Sequence, residues 1–166
     1  NTEDTPLVDR KRTTQKATLR AKLTGIEIIE RSKTTVISGY LPIKIKLKIE
    51  SYVEDLEASI QLIISDESQN LILINSVMKN KFFSFKKGMN ELECDIKALN
   101  LYAGDYKINC YITIPGKEII DYVPDALYFS VTNFDPYNTG FAYTKDAGSG
   151  YFNVDHKWLT AEEIKQ

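Results

Sequence analysis

The stretch Ile43-Lys44-Ile45-Lys46-Leu47-Lys48-Ile49 constrains the fold of this chain more than any other. Apolar and cationic side chains alternate with a period of two. In an extended strand that puts Ile and Leu on one face and Lys on the other. A helical period of 3.6 would scatter the lysines all round, so a helix is excluded here. A strand with one dry face needs a second layer to cover it.

The same grammar recurs along the chain with turn residues between. Residues 17–30 alternate loosely, and residues 31–35 read as a turn. Ile60, Leu62 and Ile64 mark a strand that ends in a polar turn at 66–70. Residues 71–74 form a short run that is apolar on both faces, and residues 86–90 read as a turn. Leu92, Cys94 and Ile96 alternate with Glu91, Glu93, Asp95 and Lys97. Gly104 opens a strand with Tyr106, Ile108, Cys110, Ile112 and Ile114 on one face, closed by Pro115-Gly116. Leu127, Phe129 and Val131 make the next strand, and Gly148 to Gly150 precede a last one over residues 151–158. Roughly eight short strands at this spacing, with almost no helix, predict an all-β fold, an immunoglobulin-like antiparallel β-sandwich. Residues 1–16 are polar, carry the basic run Arg10, Lys11, Arg12, and read as a linker or loosely held N-terminal arm. The sandwich is expected over residues 17–159. Residues 160–166 form a tail whose Thr160-Ala161-Glu162-Glu163 has the form of a capping box.

Composition narrows the function. The net charge of −2 gives no cationic excess to hold a phosphate backbone, so no nucleic-acid partner is expected. No apolar run approaches the ~20 residues that span a bilayer. The chain begins at Asn1 rather than Met, as a piece of a longer protein would. Cys94 and Cys110 occupy apolar positions of alternating segments and read as small buried hydrophobes; a disulfide between facing sheets is the alternative. The chain has one histidine, His156, with no nucleophile pattern near it. Neither metal-ligand spacing nor a glycine-rich phosphate loop occurs. Asp121 and Asp125 stand among turn residues ahead of the 127–131 strand, where no facing pair of catalytic carboxylates is indicated. The reading is a non-enzyme with no cofactor and no metal.

In the common immunoglobulin-like strand order, the 43–52 and 91–98 strands are neighbours. Lys44, Lys46 and Lys48 then lie beside Glu91, Glu93, Asp95 and Lys97, and that face reads as a solvated charge ladder. The other sheet joins the strands around 58–66, 105–114 and 127–133. Its outward face carries Gln61, Ile63, Lys107, Asn109, Tyr111, Thr113, Tyr128, Ser130 and Thr132. Aromatic rings cover the apolar face of a sugar, while amides and hydroxyls pair with its hydroxyls. Gln61, Lys107, Asn109, Tyr111, Tyr128 and Ser130 are therefore the expected ligand contacts, with Lys107 available to an anionic terminal group. An ordinary polar face, or one covered by another subunit, is the plainer alternative.

Several ordered pieces carry a resemblance. They are the strand from Ile60 into the turn at Asp66; Leu99-Asn100-Leu101-Tyr102-Ala103-Gly104-Asp105-Tyr106; Asp121 followed by Leu127-Tyr128-Phe129-Ser130-Val131; and the segment from Gly150 to Trp158. Over roughly residues 20–159 the chain resembles the C-terminal domain of Wzt, the ATP-binding subunit of ABC transporters that export O-antigen polysaccharide. The resemblance implies a module that recognises the non-reducing end of a bacterial polysaccharide. It also implies a parent chain with an ATPase domain, a transmembrane subunit as its partner, and a cytoplasmic place at the inner face of the inner membrane. It further implies a homodimer in which the last strand is exchanged between subunits across the connection 133–150. A partner-docking or dimerising sandwich without sugar affinity, and an accessory module of a glycoside hydrolase, are the competing classes.

Overall fold

The computed structural model describes residues 6–12, 16–30 and 35–166. The turn expected at 31–35 falls, except for Thr35, outside the described residues. Among the described residues, nine strands form two sheets. The first sheet holds β1 (Ala21–Ile29), β3 (Ile43–Ser51) and β7 (Gly88–Ile96) in the order β1-β3-β7. The second runs β2-β9-β8-β4-β5, from β2 (Val36–Ile37), β9 (Glu118–Val131), β8 (Gly104–Ile114), β4 (Leu56–Ser65) and β5 (Asn70–Asn75). The short β6 (Phe83–Phe85) pairs with the start of β4. All ladders are antiparallel except the two-residue pairing of β2 with β9. The strand order is that of an immunoglobulin-like sandwich, as expected. No helix among the described residues is long and apolar enough to cross a membrane.

Alternation does what the sequence requires. Ile43, Ile45, Leu47 and Ile49 are buried, and they meet Leu62, Ile64, Ile108 and Ile112 of the facing sheet in one core. Each such side chain contributes roughly 1.5–3 kcal/mol by leaving water. Outside, the register pairs Lys44 with Asp95, Lys46 with Glu93 and Lys48 with Glu91. Lys44 lies 3.1 Å from the Glu93 carboxylate and 3.6 Å from that of Asp95. Cys110 is buried, Cys94 half-buried, and both are free thiols.

The segment Gly104-Asp105-Tyr106 enters β8 through a tyrosine corner. The Tyr106 hydroxyl donates to the Tyr102 carbonyl at 2.6 Å. Gly104 is required by packing: a Cβ there would stand 2.6 Å from Cε of Lys145. Lys145 arrives from the 133–150 connection and donates to the Asp105 carbonyl at 3.0 Å. Its ammonium lies over the Tyr106 ring, 5.1 Å from the centroid.

Three expectations are corrected. Residues 151–158 form no strand. Phe152 makes one isolated bridge to Leu101, and Asn153 donates to the Asn100 carbonyl at 2.8 Å; residues 154–159 are exposed. A period-two pattern needs a neighbouring strand to become a ladder, and here none is supplied. Asp121 and Asp125 lie within β9, which runs through Pro124 by bulging. β7 begins at Gly88 inside the expected 86–90 turn, while residues 71–74 belong to the edge strand β5, where Leu71, Ile72 and Ile74 pack half-buried on the core and Leu73 is exposed. The tail does form its capped turn: Thr160 Oγ1 accepts from the Glu163 amide ahead of α1 (Ala161–Ile164).

Candidate functional site

The outward face of the second sheet is laid out by the registers of β9, β8, β4 and β5. One row crosses it as Tyr122, Tyr111, Gln61 and Asn75; the next as Asn109, Ile63 and Leu73; a third as Tyr128, Lys107, Ser65 and Asn70. Ser130 lies opposite Asp105 beyond them. The six sequence-predicted residues thus do share one face.

Their chemistry differs from residue to residue. The Tyr111 and Tyr122 rings stack with centroids 4.1 Å apart and planes 17° apart. Burial, and then the Tyr111 hydroxyl, push the Tyr122 phenol above its ordinary pKa, so it remains a proton donor at neutral pH. Asn75 Nδ2 donates to Gln61 Oε1 at 3.1 Å, which leaves the Gln61 amide N–H groups unpaired among the described residues. Ile63 and the exposed Leu73 put an apolar strip beside this row. Ser130 Oγ donates to Asp105 at 2.6 Å, and Tyr128 is exposed.

Lys107 and Asn109 serve the backbone. Between Ile108 and Cys110 the β8–β9 register shifts, so that Asn109 alone faces Pro124, Asp125 and Ala126. Asp125, at φ +50°, forms the apex of this bulge. Its N–H donates to Asn109 Oδ1 at 2.7 Å, and Asn109 Nδ2 donates to Ser65 Oγ at 3.3 Å. Asn109 is buried and has both ends of its amide engaged, which corrects its assignment as a ligand contact. Lys107 Nζ lies 2.8 Å from the Asp125 carboxylate, whose hydrogen bond raises the lysine pKa. Tyr122 and Asn75 were missed by the sequence reading: the first because β9 was begun too late, the second because β5 was read as apolar on both sides.

Behind this face, the N-terminal arm is docked. Arg12 spreads its guanidinium over Asp121, with Nε to Oδ1 at 2.6 Å and Nη2 to Oδ2 at 3.0 Å, and the two side chains are only 5% and 1% exposed. The Leu23 amide also donates to Asp121 Oδ2 at 2.9 Å. The arm's basic run is therefore no solvated tail at Arg12.

Hollows lie elsewhere as well. A depression of about 720 Å³ on the first sheet is lined by Lys46, Lys48, Glu91 and Glu93 with residues 24–27. Its lysines and glutamates are already paired in the charge ladder. An apolar cleft of about 270 Å³ opens between the sheets beside β5 and β7, lined by Leu47, Ile60, Leu62, Phe83, Leu92 and Cys94. Among the described residues no cluster of His, Cys, Asp or Glu is arranged to hold a metal.

A comparison with curated proteins found no match. Among solved structures, the crystal structure of the C-terminal domain of wzt superposes with a TM-score of 0.71 at 14% identity, over 96% of this chain and 99% of that one. Two others align weakly and carry no argument. The Pseudomonas fluorescens alkylpurine DNA glycosylase AlkC, in its complex with DNA, aligns at TM-score 0.47 and 14% identity over 69% of this chain and 31% of that one. The cupredoxin domain of amoB from Nitrosocaldus yellowstonii aligns at 0.42 and 7% over 78% and 98%. The sequence profile of the Wzt C-terminal domain matches residues 12–144, from the buried arginine of the arm to the loop that closes over the tyrosine corner. With that match over most of its length and an immunoglobulin-like sandwich of the same shape, this chain belongs to the Wzt C-terminal domain family.

Proposed function

We propose that this domain is a non-catalytic module that binds the non-reducing end of a bacterial O-antigen polysaccharide for export by an ABC transporter. The contrast between its two sheet faces carries the reading. One face neutralises itself in a Lys–Glu ladder. The other offers stacked tyrosines, an apolar strip and an amide with spare donors. A pyranose presents an apolar face rimmed by hydroxyls, and that face supplies a partner for each. Tyr111, Tyr122 and Tyr128 form the stacking surface. Gln61, Asn75 and Ser130 supply hydrogen bonds, and Lys107 meets an anionic substituent. Titration of the O-polysaccharide of the encoding bacterium into the domain tests this. Binding that weakens in Tyr111→Ala supports it, and binding indifferent to that change contradicts it.

Assembly is part of the same reading. Phe152, Val154 and Trp158 are exposed along a segment that makes no ladder, and Trp158 is 87% exposed. Exposed apolar side chains in series mark an association surface. The domain is proposed to form a homodimer by seating this segment on a second copy, with the parent chain's ATPase domain and a transmembrane subunit as further partners at the cytoplasmic side of the inner membrane.

A further inference from the structure

Strand β9 ties the N-terminal arm to the candidate binding face within five residues. Asp121 takes Arg12 on one side of the strand, and its neighbour Tyr122 stacks on Tyr111 on the other. Asp125 then receives both ends of the system. Its backbone carbonyl accepts from Arg10 Nη1 at 2.9 Å, and its carboxylate holds Lys107 at 2.8 Å. Asp125 holds the left-handed region, which aspartate tolerates better than most residues, within surroundings that fix it. Here they comprise Asn109 and Lys107 from the face and Arg10 from the arm.

Arg12 makes the arm stiff enough to act. Besides gripping Asp121, its Nη1 donates to the carbonyls of Leu7 and Arg10, which folds the arm around the guanidinium. Arg10 is thereby presented to the bulge from a fixed base.

We infer that residues 6–12 are part of the construction of the binding face: Arg10 and Arg12 are positioning residues that hold the β9 bulge, and with it Lys107 and Tyr122. Occupancy of the face and docking of the arm are then one linked equilibrium, and each strengthens the other by the same factor. If the proposed ATPase domain joins this chain through the arm, the link gives the face a route for reporting its occupancy. The inference rests on reading that face as a ligand surface.

Arg10→Ala in the full chain is the test, because it leaves the buried Arg12–Asp121 pair in place. Arg10→Lys is the conservative companion, and Arg12→Lys a second variant that keeps charge at the buried site. Amide exchange at Asp125, the ring resonances of Tyr111 and Tyr122, and the melting temperature are recorded. The O-polysaccharide of the encoding bacterium is titrated into each protein. Expected for Arg10→Ala are faster Asp125 exchange, shifted tyrosine rings, unmoved signals from the Lys44–Glu93 ladder and an unchanged melting temperature. Affinity is expected to fall by about fivefold or more, the lower end of ordinary coupling, with partial recovery in Arg10→Lys. Equal affinity in the wild type and Arg10→Ala overturns the inference whatever the spectra record, and leaves the glycan reading standing. Moved Asp125 and tyrosine signals, in a domain whose wild type ignores the polysaccharide, support the arm's hold on the face and sink the glycan reading instead. Unmoved signals at Asp125 and both tyrosines overturn the inference on their own.

Discussion

Arg12 spends every N–H of its guanidinium inside the protein: three on Asp121 and the Leu23 carbonyl, two on the arm's own carbonyls. A buried pair of this kind gains little net stability over a well-packed apolar pair, but removing one partner strands the other charge. Arg12→Ala is therefore expected to destabilise the domain by about 3–5 kcal/mol in urea unfolding. The double change Arg12→Met with Asp121→Leu should recover most of that loss. Near wild-type stability in Arg12→Ala would show that the arm is not docked. Tyr106→Phe removes a smaller feature and leaves the Tyr102 carbonyl without its donor, at a cost of about 1–3 kcal/mol by the same measurement. Neither pair is written in local pattern. Arg12 stands in a basic run that looks like a tail, Asp121 stands near turn residues, and 109 positions separate them. The tyrosine corner was half legible, because Gly104 and Tyr106 have the right spacing, but the reason for the glycine is Lys145, about forty residues on.

Strands were legible wherever burial on one side enforces alternation. β3 and β7 were legible as strands with a Lys row and an acidic row facing outward, and the fold supplies their register, because a slip of one residue would turn every Ile and Leu into water. The ladder has a definite pH signature. The hydrogen bond from Lys44 lowers the Glu93 carboxyl below its ordinary pKa, and the hydrogen bond from Arg20 lowers that of Glu118. Burial raises the Asp66 carboxyl, but the amides of Ser68 and Gln69, the Ser68 hydroxyl and Lys145 outweigh it and the net direction is down. A lowered native pKa means that the unfolded chain binds more protons in the window between the two values, so stability rises with pH across it. The contribution is complete above the ordinary carboxylate range, near pH 4.5, and is lost as pH falls through the native values. Chemical denaturation in acid should thus show lower stability than at neutral pH, with the Glu93→Gln penalty vanishing in acid. A penalty independent of pH would contradict the pairing. β9 was read too short because Pro124 and two aspartates look like a loop; the strand passes through them by bulging, and Tyr122 was lost from the candidate face with it. Residues 151–158 failed in the opposite sense, since alternation cannot reveal that a ladder partner is missing.

At the scale of the whole molecule, the proposed function assigns work outside the chain to two surfaces: the tyrosine-bearing face and the exposed segment that ends at Leu159. If that segment seats on a second copy, the domain is dimeric in solution, and deletion of residues 151–166 yields a monomer by light scattering. An unchanged mass after deletion would move the interface elsewhere. The sandwich and the difference in composition between its two outward faces were legible in the sequence, because both follow from period-two patterning. That Asn109, Ser130 and Lys107 each already have a partner within the chain was not legible, because only the fold brings those partners near. Calorimetric titration of the O-polysaccharide of the encoding bacterium into the wild type, Tyr111→Ala, Tyr122→Ala and Lys46→Ala tests the central claim most directly. The account predicts saturable binding to the wild type and to Lys46→Ala on the opposite sheet. It predicts affinity lowered by about tenfold, near 1.4 kcal/mol, in each tyrosine variant with the fold intact. No binding to the wild type, or tyrosine variants that bind as well as it does, would contradict it.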